Sequence, residues 1–349
     1  MEFGVFHEFQ CPGEQSHAQA FAESFAQVDL VERIGLDAVW LAELHVARGQ
    51  SVLSAPLTVA AAIAARTTRI RIGTAVQVLP LCHPLRLAEE VATVDHISRG
   101  RLIFGVGRSG FPQTYAAFGV PYAESRERFA ETLTILRKAW TEERFSHDGA
   151  FHSFRDVSLM PKPYQQPHPE IRIAATSPDT YAAIGRMGYP IFCAVRLGTL
   201  SELGPSIRDY HAAWTAAGHA GRGRVYLRVP VYVAASAQAA RDDPEASVMG
   251  FYRFLGRQLE ASAAMAGARA EERRAERGER LLGISYDEVL RDKVIAGTPG
   301  AVAERLAALR DELGLDGLLA EPNCGRMIPH ARVMASLALL GEQVVPRNR

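Results

Sequence analysis

Short apolar runs of β character alternate with amphipathic helical periods along nearly the whole chain, and no other feature restricts the fold as much. Runs at Glu2–Phe6, Ala38–Ala42, Arg69–Val78 and Leu102–Val106 recur at the spacing of one strand-plus-helix unit. Between them, apolar residues return with helical period. Phe21, Phe25 and Val28 share one face, as do Leu87, Val91 and Val94. Phe129, Leu133, Leu136 and Trp140 form a longer stripe, with Ser125 placed to cap that helix.

The second half continues the alternation. Strands are expected at Ile171–Ala174, Ile191–Val195 and Val225–Ala234, with helices from Pro178 and over Ser201–Ala217. Thr298-Pro299 opens a helix carrying Val302, Leu306, Leu309 and Leu313 on one face. Gly317–Ala320 is then the eighth strand and Pro329–Leu340 the closing helix. Eight strands separated by helices pair in parallel, and eight such units close more readily than they stay open. The predicted fold class is therefore α/β, a (β/α)8 TIM barrel with insertions after strands 4 and 7, forming one domain over residues 1–349. The first insertion, residues 141–170, is rich in Pro, His and aromatics and is expected as a small hairpin. The second covers residues 238–297 and includes the run Arg269–Arg280, with five Arg and four Glu. That run reads as a solvated helix face with pairs such as Glu276 and Arg280, or as a mobile lid flanked by Gly267 and Gly278.

Charge and composition exclude several function classes. Lys+Arg and Asp+Glu number 39 each, so the surplus of positive charge that a general nucleic-acid binder needs is missing, and so is any pull toward anionic membranes. The longest nearly apolar stretch, Val52–Ala65, is too short to span a bilayer, and no basic segment precedes an apolar one at the N-terminus. Cys11, Cys82, Cys193 and Cys324 lie far apart, which fits neither a disulfide framework nor a zinc site and suits a reducing cytoplasm. His147 and His152 lack a metal-binding spacing, so no metal is expected, and no G-x-S-x-G elbow supports hydrolysis.

Chemistry concentrates at the strand ends. Gly105-Val106-Gly107-Arg108-Ser109-Gly110 spells G-x-G-x-x-G after a strand, but Phe111-Pro112 follows where a dinucleotide site would start its helix. The physical content survives: glycines let backbone N–H groups approach an anion, and Arg108 can pair with it. Glu43 and His45 end the second strand, and residues two apart on a strand project together. Ala175-Thr176-Ser177-Pro178 ends the fifth strand and opens a helix, reading either as an anion site or as plain capping. Arg126, beside Ser125, is either a second arm for that anion or a surface arginine.

Several of these segments together resemble the bacterial luciferase-like flavin monooxygenases. They are Trp40-Leu41-Ala42-Glu43-Leu44-His45, the run Arg71 to Pro80, His83-Pro84, Gly100 to Arg108, Gly297-Thr298-Pro299, and Glu321-Pro322-Asn323-Cys324-Gly325 with Ile328-Pro329. The resemblance covers most of the chain outside the two inserts. It implies a TIM barrel that binds reduced FMN at its C-terminal mouth, with the phosphate near Arg108, Arg126, Thr176 and Ser177. Ala75 and Val76 fall where the family often has a cis peptide without proline beside the flavin ring, and Gly107 and Ala175 complete the implied cofactor contacts. Leu44-His45 stands where true luciferases carry adjacent histidines, and Gly107 replaces their flavin-contacting cysteine, so a relative with other chemistry is implied. By that resemblance the protein is a two-component monooxygenase. A separate reductase supplies reduced FMN, and molecular oxygen forms a flavin C4a-(hydro)peroxide. A small organic substrate, an aldehyde or ketone among the candidates, is then oxygenated in an apolar, water-poor pocket. Glu43 and His45 are the expected catalytic residues, with His45 hydrogen bonding or moving a proton. Phe6, Ala194 and Val195 line the pocket or belong to the barrel core. A cytoplasmic homodimer is the assembly the family suggests. The alternatives are a deazaflavin-dependent oxidoreductase and a flavin-binding paralogue without activity.

Overall fold

A computed structural model describes residues 1–195, 198–263 and 268–349, and of residues 268–273 the backbone only. Twelve strands follow one another as β1 (Glu2–His7), β2 (Ala38–Leu41), β3 (Arg71–Thr74), β4 (Gln77–Val78), β5 (Leu102–Gly107), β6 (Phe145–Asp148), β7 (Ser153–Val157), β8 (Glu170–Ala174), β9 (Ile191–Ala194), β10 (Val225–Val233), β11 (Ile295–Gly297) and β12 (Gly317–Glu321). Eight of them close a parallel ring. β1 pairs with β2 and β12, β2 with β3, β3 with β5, β5 with β8, β8 with β9, β9 with β10, and β10 with β12. The fold is a (β/α)8 barrel, as the alternation requires. Parallel pairing puts every strand C-terminus on one rim, so residues 7–10, 42–45, 75–76, 107–108, 174–177, 194–195 and 321–323 come together although they are scattered in sequence.

Size complementarity fills the barrel's lower interior. Trp40 projects inward between two strands that carry glycine at the facing positions. A Cβ on Gly73 would lie 2.1 Å from the indole, and one on Gly4 would lie 2.4 Å from it. Arg172, fully buried, stacks 3.5 Å from the Tyr226 ring centre and donates to Glu2 and Glu170. Outside the ring, helices cover the strands with the apolar stripes read from sequence. Leu87, Val91, Leu133, Leu136, Leu306 and Leu309 are all buried.

The first insert is the antiparallel hairpin β6–β7. The second consists of the helices Ala237–Ser262, Ala268–Leu282 and Tyr286–Asp292, followed by β11, with a small core of its own around Val248, Leu255, Leu281 and Val289. Here one ground of the lid reading, looseness at Gly278, is corrected. Gly278 is buried where two helices cross, and a Cβ there would meet the Gly256 carbonyl oxygen at 3.0 Å, so it is a packing glycine. Arg280 reaches Glu202 at 3.7 Å, not Glu276. Gly267 and the side chains of Arg269 and Arg273 lie outside what the structure describes. Among the described residues no helix is long and apolar enough to cross a membrane.

Three local expectations are corrected. The run Arg69–Val78 is broken into β3 and β4 by a cis peptide at Ala75–Val76. A short helix, Pro112–Ala117, precedes the one at Ser125, because Pro suits a first helical turn. Ser125 lies inside the helix Ser125–Thr141 and does not cap it. Its hydroxyl is thereby free for another partner.

Candidate active site

Glu43 and His45 lie beyond the end of β2, in the turn that follows, so strand geometry does not align them. The backbone does: the Ala42 N–H extends the ladder to the His7 carbonyl at 3.0 Å, and the Leu44 N–H turns to Leu53 at 3.0 Å. The His45 Nε2–H then donates to Glu43 Oε1 at 2.7 Å, and Glu43 Oε2 accepts the Val78 N–H at 2.7 Å. Both carboxylate oxygens are engaged and the carboxylate is nearly sealed, at 3% exposure against 16% for the imidazole. Glu43 thus fixes the tautomer of His45 and leaves Nδ1 without a hydrogen bond among the described residues. The edge of Phe118 packs on the imidazole, with ring centres 4.7 Å apart.

On the neighbouring strand ends, Gly107 pairs with Val78 across β4–β5, and a Cβ on Gly107 would fall 2.5 Å from Val76 Cγ2, so glycine there lets the Val76 side chain lie over the end of β5. Arg108 follows, half-buried, and its one side-chain hydrogen bond goes to Ser125 Oγ at 3.1 Å. No carboxylate lies within ion-pair distance of it among the described residues. Burial pulls its pKa below the usual arginine value, and the nearby charge of Arg126 adds to this. A cation held in a low-dielectric site without a counter-ion suits an incoming anion. The Tyr115 hydroxyl donates to the Arg108 carbonyl and holds the turn.

Arg126 is exposed on the same helix start. β5 and β8 pair with Val106 opposite Ile173, which brings Arg108 beside Ala175 and Thr176. Ala175 is buried and its N–H bonds to Phe192 at 2.8 Å, whereas Thr176 is exposed. The Thr180 hydroxyl accepts the N–H groups of Thr176 and Ser177 at 3.2 Å each, so local capping occupies donors that the sequence offered to an anion. Ala194 is half-buried at the end of β9, Val195 is buried behind it, and Phe6 lies under a charged cluster.

That cluster was not foreseen. Arg228 lies 3.4 Å over the Phe6 ring and bonds to Glu321 Oε2 at 2.9 Å, with Glu8 Oε1 at 3.5 Å and Arg326 at 3.9 Å from Glu8 Oε2. A charged residue inside the apolar run Val225–Val233 was the signal available for it. The mouth is consequently more polar than an apolar pocket, with Glu8, Arg228 and Glu321 all nearly buried.

His7, one residue before Glu8, points outward from the barrel. Its Nε2 is buried without a hydrogen-bond partner among the described residues, and burial holds its pKa near about 4. The folded state therefore binds fewer protons than the unfolded one between pH 6.5 and about 4. Stability present above pH 6.5 is lost as the pH falls through that window, by about 3 kcal/mol from this group. Urea midpoints measured from pH 7 to pH 4 check this, and His7→Phe should show a visibly shallower acid limb. Equal limbs in both proteins would exclude His7 as the source.

A closed parallel barrel with a carboxylate-held imidazole and, on its C-terminal rim, a half-buried cation without a carboxylate partner among the described residues is the plan of a barrel enzyme. The chain belongs to the luciferase-like monooxygenase family, whose model matches residues 1–317. The oxygenase component of a flavin-dependent trigonelline monooxygenase from Acinetobacter baylyi is 30% identical over 184 residues, 52% of this chain and 51% of that relative. An FMNH(2)-dependent dimethylsulfone monooxygenase from Pseudomonas putida is 30% identical over 277 residues, 75% of this chain and 72% of the relative. The crystal structure of a monooxygenase from Streptomyces bottropensis superposes with a TM-score of 0.82 at 28% identity, over 100% of each chain. Over the first curated relatives matched, this chain spans only 51% to 58% of their length.

Proposed function

We propose that this chain is the oxygenase component of a two-component system, which binds reduced FMN from a separate reductase and uses molecular oxygen to oxygenate a small organic substrate. The observation that carries the reading is Arg108, a half-buried guanidinium with a hydroxyl partner and no carboxylate among the described residues, next to Gly107, on which Val76 packs. The donor set fits a flavin phosphate, with Arg108 as the main contact, Arg126 as an outer arm and, on the adjoining turn, the hydroxyls of Thr176 and Ser177, whose N–H groups Thr180 occupies. Reduced flavin, when bound, supplies the electrons that activate oxygen. This chain's residues supply the rest. Val76, packed on Gly107, would give the flavin ring an apolar bed, with the small side chains of Ala75 and Ala175 beside it. His45 Nδ1, oriented through Glu43, holds or moves a proton at the reacting centre.

The test supplies the protein with FMN, a flavin reductase, NADH and oxygen, and follows oxygen uptake and substrate oxygenation. Turnover of a deazaflavin without oxygen uptake would replace this reading with the dehydrogenase alternative. Arg108→Ala should weaken FMN binding by about 1.5–3 kcal/mol, roughly 10- to 150-fold, in a fluorescence titration. Parental affinity in that variant would remove Arg108 from the site.

A further inference from the structure

Beside the mouth, between the helix His17–Arg33 and the loop after β12, lies a cavity of about 390 Å³. That is the size of a small-molecule pocket. Its lining is unlike that of a fatty pocket. Gln15, Gln19, Glu23 and Gln27 recur every fourth residue and line one wall. The side-chain amides of Gln15 and Gln19 donate to the two Glu23 oxygens at 2.9 Å each, so their own carbonyl oxygens remain as acceptors. Glu8 and Glu23 are the anionic groups of the lining. Arg326 at 3.9 Å and Arg228 at 3.5 Å both sit on Glu8, so Glu23, held by the two amides, is the lining carboxylate without a cation among the described residues. At the back wall the buried Nε2 of His7 has no partner among the described residues. The segment after β12 adds the apolar Met327, Ile328 and Val333 to the lining, interspersed with Asn323, Arg326 and His330.

The cavity shares Phe6, Glu8 and Gln10 with the rim, and Gln10 bridges to Ser51, on the loop that carries His45. We propose that this cavity binds the organic substrate through an ammonium group, with the head on Glu23 and the glutamine carbonyls and the body on Met327, Ile328 and Val333. The use of the pocket rests on the oxygenase reading, whereas its occupancy does not. A carboxylate-bearing ligand would meet the like charge of Glu23, and a plain alkyl chain would strip water from five or more polar side chains without replacing their hydrogen bonds.

Calorimetry with the full chain, with and without FMN, compares three probes of one shape: benzylamine, benzyl alcohol and benzoate. Benzylamine should bind about tenfold tighter than benzyl alcohol, and benzoate weakest. Glu23→Gln should reduce benzylamine affinity about tenfold while leaving benzyl alcohol within about twofold and FMN affinity unchanged. Val333→Trp, which fills the apolar end, should weaken benzylamine and benzyl alcohol together. Benzoate binding as well as benzylamine would overturn the proposal. So would no benzylamine binding at about 10 mM, a value that lies beyond the weak end of specific affinities, or indifference to Glu23→Gln. Loss of the oxygenase reading would show separately, as missing FMN binding or oxygen uptake with the amine preference intact.

Discussion

His45→Ala should lower coupled product formation by about 10²–10⁴-fold, the range expected when a general acid or base is removed. FMN affinity should stay close to parental, because the proposed phosphate contacts follow β5 and β8 and not β2. Reduced flavin should instead be lost as hydrogen peroxide, so NADH oxidation continues while product falls. The geometry gives the reason. Glu43 is occupied on both oxygens, by His45 at 2.7 Å and by the Val78 N–H at 2.7 Å, which makes it a positioning group and leaves His45 Nδ1 as the free function. Glu43→Gln should therefore cost less than His45→Ala and should alter the pH profile of product formation, since an amide no longer selects one imidazole tautomer. Product formed equally well by His45→Ala would make His45 a structural residue.

Arg172→Met should destabilise the fold by about 3–5 kcal/mol, the range for breaking a buried ion pair by removing one partner. Arg172 is completely buried and donates to Glu2 at 2.9 and 3.1 Å and to Glu170 at 2.8 Å. Its planar group also fills the space between Trp40 and Tyr226, at 4.9 and 3.5 Å from the ring centres. Methionine restores part of the packing but leaves Glu2 and Glu170 with Arg71 and Arg224, which are half-exposed or exposed, as their remaining cations. Urea unfolding followed by tryptophan fluorescence reads the shift. A change within about 1 kcal/mol would mean that the site relaxes around the loss, as surface pairs do.

The strand ends were legible because they depend on local chemistry. Glycine at 107, arginine at 108 and the Glu43-x-His45 spacing follow directly from an apolar run that stops. The polar cluster of Glu8, Arg228, Glu321 and Arg326 was not legible, because its members come from three distant segments that touch only when β10, β12 and β1 lie side by side. Ser125 shows the same limit in miniature. Its residue type suggested a cap, but a short turn of 3₁₀ helix at Tyr122–Glu124 starts the helical path earlier and turns the hydroxyl to Arg108. The glycines of the second insert suggested looseness, whereas Gly278 is pressed against Gly256, a contact between helices that composition does not carry.

By itself, the sequence determined the period of alternation, and with it favoured the barrel, since eight apolar strands with amphipathic helices between them bury their faces more readily in a closed parallel ring than in an open sheet. It also determined which residues stand at the strand ends. Only the tertiary structure decided what those residues do to one another: that Glu43 spends both oxygens on orientation, that Arg108 is half-buried without a carboxylate partner among the described residues, and that Gln15, Gln19, Glu23 and Gln27 line one wall of a cavity. The reason is range. Periodicity is set by hydrophobic burial along each segment, whereas a buried charge takes its partners from whichever chain segments the closed barrel brings within hydrogen-bond distance.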